Sequence, residues 1–401
     1  MEKPSPGQSP VHVPVTLIDL LSNALVRRHT SPYIPVADLL QLGATCKLIR
    51  QLIYQDTEAW RHLDLTPVRR AIIDSTPIDV GGVSWRAERM DESLTEDDFY
   101  AGPLRGILGN LHSRRVLKFV QTLILDGLTV PADLVREIVA EDRYHVRVLS
   151  LQESKQLNIT KLQQVLRYAV RPTREPGTPR LKALYIFGQK HAPVPHSVAK
   201  SKPPVGQHRP LSPGVMSSAG AQIGVDWNHR SQHDLIPRRS DDESRWYGCN
   251  GKALKRPYSE WAETVQVCRG IIHFDAVLCR GPRHDITKVS STNFLQPTIA
   301  TIALGPEGCQ DCHTSPEGPA AFGDCDSSDL PLLAPVPLHS STVRACIRPE
   351  PRGVGKFPRL ILRCEDCLRG RYCEQCHRWW CEDCYQEPPS GIISRCKETC
   401  S

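Results

Sequence analysis

The sequence predicts a multidomain α + α/β protein: an N-terminal bundle of three short helices, a short irregular α/β solenoid, and a C-terminal module stapled by cysteines. Three observations predict it. Leucines and isoleucines recur at helical spacing over residues 11–66, a strand-then-helix pattern repeats between residues 116 and 305, and four Cys-x2-Cys pairs follow between residues 306 and 390. A chain of 401 residues exceeds the size at which one core keeps growing, so several folded units are expected. With 34 prolines and only 6% aromatic residues, part of the chain is expected to stay disordered. Residues 1–10, 67–115 and 391–401 read as tail, linker and tail.

In the first module Leu17, Leu20, Leu21 and Leu25 line one helical face, and Val36, Leu39 and Leu40 begin a second after Pro35. Thr45 offers an N-cap side chain for a third helix, in which Leu48, Ile49, Leu52 and Ile53 share a face. Trp60, Leu63 and Leu65 close the segment. A helical core of about 50 residues is marginal alone, which predicts that it draws stability from a partner or from the next domain.

The stretches Val13-Pro-Val-Thr-Leu-Ile-Asp-Leu-Leu21, Pro35-Val-Ala-Asp-Leu-Leu-Gln-Leu42, Thr45-Cys-Lys-Leu-Ile-Arg-Gln-Leu-Ile53 and Trp60-Arg-His-Leu-Asp-Leu65 resemble an F-box in order and spacing. The resemblance implies docking on the Skp-type adaptor of a cullin-RING ubiquitin ligase through Pro14, Leu17, Leu20, Leu21, Leu39 and Leu40. One departure is the stretch Arg27 to Tyr33, which is longer and more polar than the family's usual link between its first two helices.

The middle of the chain alternates strands and helices. Strands are expected at 120–125, 146–151, 181–187, 273–278 and 298–304, with helices at 131–140, 160–170 and 261–268. The strand-centre leucines Leu123, Leu149 and Leu184 stand 26 and 35 residues apart, near the leucine-rich-repeat period for the first interval. The asparagine usual in such repeats is missing. A solenoid of this kind presents a broad concave sheet face, used for protein recognition more often than for catalysis. Residues 188–257 interrupt it with a Pro-, Ser-, Gly- and His-rich insertion, expected to be disordered.

The strongest chemical signal is Cys364, Cys367, Cys373, Cys376, Cys381 and Cys384, preceded by Cys309 and Cys312. A Cys-x2-Cys turn lets both thiolates reach one tetrahedral Zn²⁺, so eight thiolates predict two structural zinc ions. The last three pairs lie only four or five residues apart, which favours alternate, cross-braced pairing: Cys309 and Cys312 with Cys373 and Cys376, Cys364 and Cys367 with Cys381 and Cys384. That topology resembles RING-like zinc folds. With every ligand position filled by cysteine, no site is left open for water, and a catalytic zinc is disfavoured.

No glycine-rich phosphate loop, nucleophile elbow or HExxH motif occurs, so no intrinsic catalysis is expected. The net charge of +6 lies in the insertion, and the cysteine pairs carry no basic excess, which argues against nucleic acid as a partner. The polar start of the chain and the lack of a long apolar run predict neither secretion nor membrane spanning, and place the protein in cytoplasm or nucleus. Together these features resemble fungal-type F-box proteins with cysteine-rich tails. The resemblance implies a non-catalytic adaptor that holds a protein target for the ligase; the alternative reading is a stand-alone RING-like ubiquitin ligase.

Overall fold

The computed structural model describes residues 16–55, 58–73, 96–188, 251–252, 260–287, 294–304, 308–313, 320–321, 331–332, 343–347, 359–373, 378–381 and 383–384. They divide into two compact units, residues 1–186, 260–277 and 326–348 in the first, and 187–259, 278–325 and 349–401 in the second. The two units cut across the expected domain boundaries. Of the expected tails, linker and insertion, residues 1–10, 391–401 and most of 188–257 lie outside the described residues. None of the helices described is long and apolar enough to cross a membrane.

The first unit opens with α1 (Leu17–Ser22) and α2 (Ala24–Thr30). Thr16 caps α1 in a capping box with Asp19, and the Asn23 side chain accepts from Leu25 N and Val26 N to restart the helix as α2. The polar stretch after Arg27 is accommodated as the end of α2 and a 3-10 turn, Ser31–Tyr33, while Arg27 donates to the Leu21 carbonyl. α3 (Val36–Thr45) and α4 (Lys47–Gln55) follow. Thr45 does not cap α4: its hydroxyl donates back to Leu42 O, and the sulfur of Cys46 accepts from Ile49 N at 3.4 Å instead. Thr45 still belongs to α3, so the chain breaks one residue later than the sequence implies.

A helix occupies the end of the expected linker. α5 (Glu96–Ser113) buries Tyr100, Leu104, Leu108 and Leu111 on one stripe. Pro103, Gly102, Gly106 and Gly109 dilute that pattern in the sequence, and the three glycines face open space. Arg105 ties α5 to the next helix through Glu137.

The centre of the unit is a five-stranded parallel sheet, in the order β1 (His62–Asp64), β2 (Thr122–Ile124), β3 (Val148–Ser150), β4 (Ala183–Tyr185) and β6 (His273–Phe274). α6 (Ala132–Ala140), α7 (Ile159–Ala169) and α8 (Trp261–Cys268) alternate with these strands. Leu63, Leu123, Leu149, Leu184 and Phe274 are register partners, each at most 3% exposed. The leucines picked out by spacing are thus neighbours across one row. Two expectations fail here. The first strand comes from the end of the helical segment, whereas residues 298–304 leave this sheet altogether. The middle of the sheet also presents no open face: β2, β3 and β4 are buried at every position. Parallel sheets are normally covered on both sides, and this one follows that rule rather than the open concave face of a solenoid. At β4 the buried Tyr185 hydroxyl has the Cys346 thiol of α9 (Val343–Ile347) beside it, and burial pushes that thiol up to about 11.

The second unit contains an antiparallel sheet in the order β5 (Gly251–Lys252), β7 (Ile302–Leu304), β9 (Arg359–Arg363) and β8 (Ala320–Ala321). β5 falls in the expected insertion, and its two residues pair with β7. Ile302 and Leu304 join Leu368, Trp379 and Trp380 in a small core that includes Cys309 and Cys381.

Candidate metal centres and an exposed helical surface

Two four-residue clusters in the second unit have the donor set of a metal site: Cys279, His284, Cys364 and Cys367, and Cys309, Cys312, Cys381 and Cys384. Within each, the ligand atoms lie within 4.8 Å of one another. Arms of 2.3 Å around a tetrahedral ion leave sulfurs about 3.8 Å apart. The Cys279–Cys367 and Cys312–Cys381 sulfur pairs are both at 3.8 Å. Each cluster can hold one metal ion.

The first centre is built by two turns. After Cys279, Gly281 leads into the 3-10 turn Pro282–His284, and the His284 ring is fixed through Nδ1 to Leu295 O at 3.1 Å while Nε2 lies 3.2 Å from Cys364 Sγ. Holding the second ring nitrogen orients a histidine toward its ion. Backbone amides of Gly281 and Cys364 donate to Cys279 Sγ at 3.4 and 3.2 Å, and Cys367 N donates to Cys364 Sγ at 3.4 Å. Burial alone would push the Cys279 thiol up, but hydrogen bonds from the Cys364 and Cys367 thiols and these amides hold it well below the ordinary thiol value. A thiolate is the form a metal binds.

The second centre is less enclosed. Cys309 and Cys381 are buried, Cys384 is half-buried and Cys312 exposed. Cys381 N donates to Cys309 Sγ at 3.3 Å, and Gln310 N reaches Trp379 O at 2.9 Å. Trp380 Nε1 donates to Asp311 Oδ1 at 3.2 Å, which ties the aromatic pair to the turn between Cys309 and Cys312.

Along the chain the ligand pairs run 279/284, 309/312, 364/367 and 381/384, and alternate pairs share a centre. The cross-brace expected from spacing is therefore present in kind with different members. The expected partnership of Cys309 and Cys312 with Cys373 and Cys376 is replaced by one with Cys381 and Cys384, and Cys364 and Cys367 meet Cys279 and His284 instead. Cys373 lies where the chain doubles back: its amide donates to Arg378 O, Tyr372 bridges Trp379, and Trp380 N returns to Arg371 O. That reversal carries Cys381 and Cys384 over to Cys309. Cys376 lies outside the described residues. Sequence reasoning missed Cys279 and His284 because the pair has Cys-x4-His spacing and stands inside the stretch read as repeats. Gly281 between them has a structural role that the sequence does not show: a Cβ there would meet Cys367 Sγ at 2.6 Å. Gly281→Ala is therefore expected to cost the first centre its ion and leave the second loaded, so that native mass spectrometry finds one metal per chain. Two ions bound with wild-type stability would sink this.

The helical residues named for partner docking divide into two sets. Leu17 and Leu20 are 55% and 46% exposed, and Ile18, Leu25, Tyr33 and Leu48 are exposed as well. Leu21 and Leu39 are buried and Leu40 half-buried, so the first two serve the bundle's own core. Pro14 lies outside the described residues.

No family model, curated protein or solved structure matches this chain.

Proposed function

We propose that this chain is a non-catalytic, F-box-type substrate adaptor of a cullin-RING ubiquitin ligase, with two structural zinc ions in its second unit. The observation that carries the adaptor reading is the exposed apolar row on α1 and α2, where Leu17 and Leu20 stand open on a capped helix. Burying a leucine is worth roughly 1.5–3 kcal/mol, so leaving several exposed on short helices is explained by a partner that covers them. In this reading α1–α4 dock the Skp-type adaptor, and the cullin-bound partner performs ubiquitin transfer. Because the parallel strands are buried, the target is held by loop ends of the sheet or by the second unit rather than by a concave sheet face. Zinc is the ion that suits a closed set of three thiolates with one imidazole, or of four thiolates. The work is done in cytoplasm or nucleus.

The test is affinity purification of the tagged chain beside a Leu17→Ala, Leu20→Ala variant. Both side chains are exposed, so the fold should survive. Wild type is expected to retain the Skp-type adaptor and cullin, and the variant to lose at least tenfold of both. Retention by a folded variant, or no retention by wild type, rejects the reading.

One observation favours a second reading. The alternation of ligand pairs between the two centres is the arrangement of RING-like folds, in which the zinc module itself recruits a charged conjugating enzyme. Autoubiquitination by the purified chain with no cullin present would support it.

A further inference from the structure

A groove of about 1100 Å³ runs between α3 and α4 of the first unit, toward the end of α5. Its lining includes Lys47, Arg50 and Arg114, with Gln51, Tyr54 and Gln55, and no carboxylate. Lys47, Arg50 and Arg114 are all exposed. Several other cations of the unit sit against acids: Arg28 and Arg61 on Glu58, Arg105 on Asp98 and Glu137, Lys161 on Asp97, Arg180 on Asp142. None of the three groove cations is in an ion pair among the described residues. Two are nonetheless held in place. Arg50 Nε donates to Gly43 O at 3.0 Å, and Arg114 Nη1 donates to Tyr54 Oη at 2.7 Å with its guanidinium over the Tyr54 ring.

We propose that this groove seats an acidic, aspartate- and glutamate-rich peptide segment of a partner protein. Positioned guanidinium groups with donors to spare match carboxylates, because little side-chain entropy remains to be lost on binding. The glutamine amides offer both donors and acceptors to a peptide backbone. A groove without acids of its own adds attraction at a distance, which speeds encounter and weakens with salt. None of the exposed leucines of α1 and α2 lines the groove, while Leu40 does, so the site borders the proposed adaptor surface without including its exposed row, and the proposal does not rest on that reading.

The experiment uses the full chain and fluorescence anisotropy with a labelled twelve-residue Asp/Glu-rich peptide. Its Asn/Gln counterpart and a single-stranded RNA of the same length serve as comparisons. The acidic peptide is expected to bind in low salt and the neutral one not. A Lys47→Glu, Arg50→Glu, Arg114→Glu variant is expected to bind at least about tenfold more weakly, since each reversal removes an attraction and adds a repulsion. Should that variant fold poorly, Lys47→Glu with Gln51→Glu changes two exposed side chains and is expected to weaken binding in the same direction. Leu17→Ala, Leu20→Ala is expected to bind the peptide as wild type does, which separates this result from the adaptor test. Unchanged affinity in the charge variants, tighter binding of RNA than of peptide, no peptide binding, or loss of it in the leucine variant would each overturn the proposal.

Discussion

Removing the metal ions is expected to unfold the second unit and leave the first standing. The core of the second unit among the described residues is small: Ile302, Leu304, Leu368, Trp379 and Trp380, with two of the ligand cysteines inside it. Its strands are two to five residues long. Structural zinc contributes about 10–16 kcal/mol at neutral pH, as much as the whole stability of a typical domain, which is about 5–15 kcal/mol. Loss of even one ion therefore outweighs what this core supplies. The first unit holds no such cluster among its described residues, and Trp60, Leu63, Leu123, Leu149 and Leu134 are fully buried around its own sheet. Limited proteolysis after treatment with a strong chelator is the measurement. New cleavage is expected within residues 278–313 and 359–384, with residues 96–186 protected as before, and added zinc should restore the original pattern. If a chain shown to be metal-free keeps its second unit protected, the ions do not staple it.

The cross-brace also shows where the sequence was legible and where it was not. Three of the four Cys-x2-Cys pairs reading as ligands do meet in clusters, because that spacing forces two sulfurs to one side of a tight turn whatever the rest of the chain does. Pairing between turns is a tertiary property, decided here by the reversal at residues 372–379 and by the strand β9 that precedes Cys364. Nothing local encodes it. Cys279 and His284 carried the weaker signal of a longer spacing, and they were hidden by a neighbouring strand pattern that is itself correct, since His273–Phe274 does join the parallel sheet. The leucine row was readable because Leu123, Leu149 and Leu184 each sit at the centre of a β-branched or apolar run. The covering of the sheet was not, as strand periodicity reports which residues are apolar and says little of what packs over polar ones. The face opposite the leucines mixes Ile124, Val148 and Ala183 with the polar His62, Thr122, Ser150, Tyr185 and Asp275, and these polar residues are buried or half-buried.

That polar row makes the first unit sensitive to pH, and Asp126→Asn should reveal how. Asp126 is 7% exposed, and its Oδ1 accepts from the Ser150 hydroxyl at 2.6 Å and from Gln152 N at 2.9 Å. Burial raises its carboxyl from the ordinary 3.8 to about 6; the two hydrogen bonds oppose this, while Asp64 and Asp275 nearby add to it. Between those two values the folded chain keeps a proton that the unfolded chain has lost, so this group's contribution is fully present below pH 3.8 and disappears as pH rises through 6. A difference of about two pH units is worth up to about 3 kcal/mol. His62 works the other way. Burial lowers it from 6.5 to about 4, partly offset by Asp64, so it contributes stability above pH 6.5 that is lost as pH falls through 4. The two slopes oppose each other across the same window, and a wild-type stability curve alone would conceal both. Asparagine keeps the oxygen that serves Ser150 and Gln152 and abolishes the titration. The variant is therefore expected to be more stable than wild type by about 1–3 kcal/mol at pH 7.5, and this advantage should shrink to nothing, or reverse, near pH 4. Urea denaturation of both proteins at several pH values, followed by a probe in the first unit, measures that difference directly. A difference that stays constant from pH 4 to 7.5 would mean that Asp126 is already ionised throughout and that the ladder of hydrogen bonds, not burial, sets its charge.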